Sequence, residues 1–194
     1  MKKLVTLIAL LAVTAGAFAV EVGKPAPDFT GTDIHGKTIK LSVDKGKSVV
    51  READITQCPF CQHHYGIGAM QELQAKYTCK GVVWLIVDSV GKKNFGYLLP
   101  AAAQKKWTDE KFAAPPWLAA HADPLGTLYD MRTTPDMFVI AADGTLAYAG
   151  ALDNNPTPRG DPRKAKNDVS AAVDELIANQ PVAVSQTKSY GCAV

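Results

Sequence analysis

Val49-Val50-Arg51-Glu52-Ala53-Asp54-Ile55-Thr56-Gln57-Cys58-Pro59-Phe60-Cys61 is the stretch on which the fold turns. It opens with an extended segment, expected over 47–54, and closes on two thiols one helical turn apart. From Cys61 to Tyr77 the pattern becomes helical, with Ile67, Met70, Leu73 and Tyr77 on one face. Gly66 and Gly68 weaken that helix near its start. A cysteine at a helix N-terminus is favoured as thiolate, because unpaired N–H groups and the helix dipole stabilise negative charge there. Pro59 suits the first helical position, where its missing N–H costs nothing. Cys58 is therefore expected to act as nucleophile and Cys61 as resolving thiol. Spacing alone would also allow an inert disulfide or two core thiols; the strand before the pair and the helix after it favour redox chemistry.

The chain ends set the context. Lys2 and Lys3 precede an apolar run from Leu4 to Ala15, too short to span a bilayer comfortably, and Ala17-Phe18-Ala19 fits a small-x-small cleavage site. Residues 1–19 thus read as a bacterial-type signal peptide, 20–178 as one domain and 179–194 as an irregular tail. Export to the periplasm or beyond is where disulfides form and persist, and after cleavage no stable membrane anchor remains. The formal net charge of +2 includes Lys2 and Lys3. Residues 1–19 hold no acid, so the remainder is balanced and offers no basic excess for nucleic acid.

Further along, Asp28–Asp33 and Lys37–Leu41 flank Ile34-His35-Gly36 as an N-terminal hairpin. Val82–Val87 is a continuous apolar run, as in a buried parallel strand. A long insertion over 89–116 carries a helix from Pro100 to about Trp107. Trp117–Ala120 reads as a short strand and Pro124–Asp130 as a helical turn. Met137–Ile140 and Thr145–Ala149 form a hairpin across Ala142-Asp143-Gly144. A polar, proline-rich loop fills 154–166. Asp168–Ala178 is an amphipathic helix with Val169, Val173, Leu176 and Ile177 inward. This order predicts an α/β sandwich around a mixed sheet. Trp84, Trp107 and Trp117 read as core or interface aromatics, and Lys92-Lys93 and Lys105-Lys106 as solvated charge.

Thr133-Thr134-Pro135 stands directly before the strand Met137–Ile140. A cis proline there would present the backbone of Thr134 for pairing with a substrate strand beside the thiols. Export signal, strand–CPFC–helix and Thr-Thr-Pro before a hairpin together resemble the thioredoxin-like superfamily. Within it they are similar to the redoxin group, which holds the alkyl hydroperoxide reductase and thiol-specific antioxidant relatives and the periplasmic thiol–disulfide oxidoreductases. Val22-Gly23-Lys24-Pro25-Ala26-Pro27-Asp28-Phe29 resembles the opening of redoxin domains. Arg132-Thr133-Thr134-Pro135 with Phe138-Val139-Ile140 and Asp143-Gly144-Thr145 resembles the segment around their cis proline. The resemblance runs from about Val22 to Ala178. It implies a central mixed β-sheet flanked by helices, with the active cysteine at the start of the first major helix. It gives Glu52, six residues before Cys58, the place of a buried acid that takes the proton of Cys61, with burial raising its pKa. It makes Pro135 part of the active site, and Thr134, Pro59 and Phe60 the docking surface.

Some positions depart from the family. Ala53, Asp54 and Gln57 replace an aromatic collar, and Arg51-Glu52-Ala53-Asp54 is polar for a central strand. The peroxidase motif PxxxTxxC is absent, since Arg51 and Ile55 stand where its Pro and Thr belong, which disfavours direct peroxide reduction. The reading is an exported thiol–disulfide oxidoreductase that exchanges disulfides with protein thiols and an unidentified redox donor or acceptor. It needs no dissociable cofactor beyond the Cys58–Cys61 disulfide. The alternatives are a copper-delivery protein with Cys58, Cys61 and His121 as ligands, a redoxin-type antioxidant, and a domain that only binds partners, which the polar strand would suit. Adjacent His63 and His64 point about 100° apart on a helix and do not easily share one metal, and Gln62 in place of His excludes a c-type haem site. Cys192, in a mobile tail, is a further candidate redox thiol that could resolve Cys58 or pair with Cys79.

Overall fold

Strand β3 (Val49–Asp54) runs through the middle of the molecule with all six residues buried. The computed structural model describes residues 20–88, 96–113, 117–119 and 125–194. The expected signal segment 1–19, Lys92, Lys93 and His121 lie outside these. The order is β1 (Thr30–Thr32), β2 (Thr38–Lys40), β3, α1 (Pro59–Gly66), α2 (Ala69–Thr78), β4 (Val83–Asp88), α3 (Pro100–Asp109), β5 (Trp117–Ala119), α4 (Leu125–Leu128), β6 (Thr133–Thr134), β7 (Asp136–Ile140), β8 (Leu146–Gly150), α5 (Asp168–Ile177) and β9 (Cys192–Ala193). The main sheet has the order β5-β4-β3-β7-β8. Strand β3 is parallel to β4, with Glu52 opposite Ile86, and antiparallel to β7, with Glu52 opposite Met137. The sheet is mixed, as expected, and β1 and β2 form the N-terminal hairpin. Its turn is held by Asp33 Oδ1, which accepts from the amides of His35 and Lys37 at 2.8 Å each.

Strand alternation divides the interior. Val50 faces a core built with Trp84, Ile86, Met137 and Val139 and covered by Tyr65 of α1, Met70 and Tyr77 of α2 and Val169 and Val173 of α5. Val49 and Ala53 face the opposite core, with Leu85, Val87, Phe138, Ile140, Tyr129 and Phe29. Helix α5 starts where Asn167 Oδ1 accepts from the amide of Ser170 at 2.7 Å, the usual N-cap bond. Its inward face is Val169, Ala172 and Val173, with Leu176 packed at the margin, whereas Ile177 is exposed. That corrects the inward placement of Ile177, which sits on the last turn beyond the sheet.

The helix expected over 61–77 is two helices. Gly68 takes φ +80° and ends one before the other begins. A β-carbon there would meet nothing closer than Arg163 Nη2 at 3.8 Å, so the only penalty is backbone conformation. Gly68→Ala is expected to cost about 1–2 kcal/mol, the price of a left-handed L-residue. It should appear as a lower urea midpoint with unchanged slope; an unchanged midpoint would contradict the account.

The tail expected to be irregular contributes order. Cys192–Ala193 pairs antiparallel with Thr133–Thr134, with Thr134 opposite Cys192. Upstream, the amide of Ala149 donates to Ser185 O at 3.1 Å and that of Thr187 to Ala149 O at 3.2 Å, extending the sheet beyond β8. The sequence carries little trace of this, because the pairing is made by backbone groups across a separation that no local pattern spans.

Candidate active site

Cys58 is the N-cap of α1 and Pro59 its first residue. The Cys58 carbonyl accepts from the amide of Gln62 at 2.9 Å, which begins the helical ladder. Cys58 and Cys61 are both buried, free thiols. The peptide Thr134–Pro135 is cis, and Cys58 Sγ lies 2.9 Å from Thr134 O, to which it donates when protonated. The structure thus brings Cys58, Cys61, Pro59, Thr134 and Pro135 together. Phe60 lies at the rim, its ring 5.7 Å from that of Tyr190.

The two thiols are driven apart electrostatically. A hydrogen bond from Cys61 holds the Cys58 pKa down to about 4, helped by Cys192 and by the side chain of Thr134, against the penalty of burial. Cys61 goes the other way: burial pushes it well above 9.0, and the hydrogen bond to Cys58 and the charge of Asp54 add to this. One sulfur is thus favoured as thiolate and the other as thiol, a division that suits thiol exchange.

Glu52 is wholly buried. Its carboxylate accepts from Tyr65 Oη at 2.6 Å, Trp84 Nε1 at 2.8 Å and Gln74 Nε2 at 3.2 Å. Burial, then the charge of Asp54, raises its pKa to about 7, against these three donors. A carboxyl raised from 4.5 to about 7 keeps its proton in the fold across a window where the unfolded chain loses it. Its contribution is therefore present below pH 4.5 and is lost as pH rises toward 7. Glu52→Gln keeps the shape of the protonated acid, with Tyr65 free to turn its hydroxyl. It is expected to flatten this part of the stability–pH curve; an identical decline in urea titrations of both proteins between those pH values would count against it.

Asp54 and Lys106 are charged neighbours of Cys61 that sequence reasoning missed. Asp54 is buried, its Oδ2 lies 3.4 Å from Lys106 Nζ, and its charge is one of those that raise Cys61. Asp54 stood in the polar run read as a departure from the family, and Lys106 was expected to be solvated charge. In fact the Lys106 side chain is 11% exposed, whereas Lys105 is 75% exposed. The i,i+4 pair of Lys106 with Glu110, at 3.7 Å, helps to orient it. Only the crossing of α3 over the end of β3 distinguishes the two lysines.

The polar strand is accommodated on both faces. The Arg51 guanidinium lies 4.4 Å from the Tyr129 ring centre and 5.3 Å from that of Phe138, with Met131 Sδ at 3.1 Å. Aromatic faces are the surfaces that a buried guanidinium tolerates best. His64 Nε2 lies 3.7 Å from Asp153 Oδ2. His121, the third ligand of the copper alternative, falls outside the described residues, and among those residues no group of three or more His, Cys, Asp or Glu could hold a metal ion. Cys79 is exposed at the end of α2, while Cys192 lies opposite Thr134. Trp84 is fully buried core and Trp107 packs at its margin; the side chain of Trp117 is not among those described. No described helix is long and apolar enough to cross a membrane.

A mixed sheet with a CxxC at a helix start and a cis proline facing it defines a thioredoxin-fold redox protein of the redoxin type. Residues 22–149 match the AhpC/TSA family, and the chain belongs to it. It is 33% identical over 131 residues, 66% of this chain and 68% of the relative, to the thiol–disulfide oxidoreductase ResA of a Bacillus cereus strain. Among solved structures it is similar to an uncharacterised conserved protein from Geobacillus kaustophilus, with a TM-score of 0.79, 26% identity and coverage of 90% of this chain and 91% of that one. It also shares the fold of a putative thiol:disulfide interchange protein DsbE from Chlorobium tepidum, with a TM-score of 0.57, 20% identity and coverage of 83% and 98%.

Proposed function

We propose that this protein is an exported oxidoreductase that exchanges disulfides with protein thiols through the Cys58–Cys61 pair. The observation that carries the reading is the geometry at the head of α1: Cys58 at the N-cap with Cys61 on the first turn, and Cys58 Sγ 2.9 Å from the Thr134 carbonyl of the cis Thr134–Pro135 peptide. Cys58 thiolate attacks one sulfur of a partner disulfide, forming a mixed disulfide and releasing the partner's other sulfur as thiolate. Cys61 loses its proton and attacks Cys58. This closes Cys58–Cys61 and releases the partner's second thiol. The partner is reduced by two electrons and the pair is oxidised by two.

The proton of Cys61 is taken up by the buried Glu52 carboxyl, whose pKa is raised to about 7, while the charge of Asp54, set beside Lys106, reaches that sulfur. The edge of Thr134 receives the partner backbone, and Pro59 and Phe60 border it. No dissociable cofactor enters these steps, and an external redox donor or acceptor resets the pair. The segment 1–19 directs the chain to the periplasm, where such exchange is in demand.

The test is trapping. In a Cys61→Ser, Cys192→Ser protein expressed with its leader, Cys58 should accumulate mixed disulfides with envelope proteins, resolved by dithiothreitol on diagonal gels. Recovery of no such adducts, or of adducts on Cys79 alone, would refute the reading.

A further inference from the structure

The chain fills its own docking edge. Strand β9 lies antiparallel to Thr133–Thr134 with Cys192 opposite Thr134, and the Val194 amide donates to Arg132 O at 3.2 Å. Thr134 is also the residue whose carbonyl takes the Cys58 thiol at 2.9 Å. Cys192 packs against the core cluster that contains Cys58 and Cys61. Two residues upstream, the Tyr190 ring packs at a tilt against that of Phe60, and its hydroxyl donates to Asp153 Oδ1 at 2.5 Å. Between them Gly191 takes φ +135°, and a β-carbon there would fall 1.9 Å from Thr134 O. Only glycine permits so close an approach of two backbones. Under this strap Cys58 is 1% exposed, so an external disulfide reaches it only when the strap lifts.

We infer that the C-terminal segment 190–194 is a built-in substrate strand, and that Cys192 is a second resolving thiol forming a reversible Cys58–Cys192 disulfide. This rests on Cys58 being the nucleophile of the proposed function. In the added step, Cys192 thiolate attacks Cys58 of a mixed disulfide. The Cys58–Cys192 bond forms, the bond to the partner breaks and the partner leaves as a thiolate. Cys61 then attacks Cys58, closes Cys58–Cys61 and returns Cys192 as thiolate. The second exchange moves no net electrons, so the partner disulfide remains the only oxidant. Burial, and then the hydrogen bond and charge of Cys58, hold the Cys192 thiol up at about 12 while Cys58 is free. The two contributions from Cys58 vanish once that sulfur is bonded to a partner, so Cys192 loses its proton more readily at the stage where it is needed.

The experiment uses the full chain with Cys79→Ser throughout, and glutathione disulfide as the probe. Cys61→Ser and Cys61→Ser/Cys192→Ser proteins are reduced, mixed with the probe and followed by intact mass and peptide mapping. The double variant should keep a glutathione adduct on Cys58. The single variant should discharge it to a mapped Cys58–Cys192 bond, shortening the adduct's lifetime by about tenfold or more, as an adjacent thiol at high effective concentration does. An adduct on Cys58 equally persistent in both proteins overturns the inference and leaves the proposed function intact. Absence of a Cys58 adduct from both overturns the nucleophile assignment and the inference with it.

Discussion

Cys58→Ser is expected to abolish disulfide exchange while leaving the fold in place. Serine is nearly isosteric and can still donate to Thr134 O, so packing at the head of α1 is preserved. What is lost is the thiolate that the site holds at a pKa of about 4. Reduction of insulin disulfides by dithiothreitol, followed by turbidity, should lose catalysis by a factor on the order of 10³ or more, the scale of removing a nucleophile. Near-ultraviolet circular dichroism should not change. Retention of a tenth of the rate would show that another cysteine starts the reaction. The same ionisation predicts a pH profile: alkylation of Cys58 by iodoacetamide should be nearly flat between about pH 5 and 8, because the thiolate fraction is already saturated. A group lowered from 9.0 to about 4 adds stability to the reduced protein above 9.0, and that stability is lost as pH falls through 4.

Trp84→Ala is expected to have the largest effect on stability. Trp84 is fully buried and the largest such side chain among the described residues. Its indole N–H donates to Glu52 Oε2 at 2.8 Å. Truncation empties the space under α1 and α2, for about 3–5 kcal/mol by analogy with other aromatic-to-alanine changes. It also removes one of three donors from a buried carboxyl, for about another 1–3 kcal/mol. Domains of this size are stable by about 5–15 kcal/mol, so the variant should be unfolded or nearly so at 37 °C. Trp84→Phe separates the two contributions, since it keeps most of the volume and loses only the donor. Equilibrium urea unfolding reads both, and a Trp84→Ala midpoint close to wild type would sink the packing account.

Much of this was legible locally. The apolar run at 82–87, the turn at 142–144 and the face of α5 through Val169 and Val173 became the elements they suggested, because strand and helix periodicity is written into neighbouring residues. The break at Gly68 was half visible: two glycines flagged weakness, but only the backbone angle shows that the chain reverses its helical sense there. The polar run Arg51–Asp54 argued against a working core strand. It is one, because the groups that neutralise it arrive from elsewhere in the chain. Arg51 rests on Tyr129 and Phe138, Glu52 on Tyr65, Gln74 and Trp84, and Asp54 on Lys106.

By itself the sequence determined the layout at the head of α1: two thiols one turn apart, a proline that starts the helix, and a Thr-Pro that could face them. These depend on spacing and on covalent properties of single residues, which need no fold to be read. Only the tertiary structure decided which buried charge reaches which sulfur and what covers the site. Asp54, by the charge it places on Cys61, and Cys192, by its pairing with Thr134, take their places through contacts between segments far apart in the chain. Such contacts exist only once the sheet has formed, because the field at a buried sulfur depends on distance and desolvation rather than on sequence order.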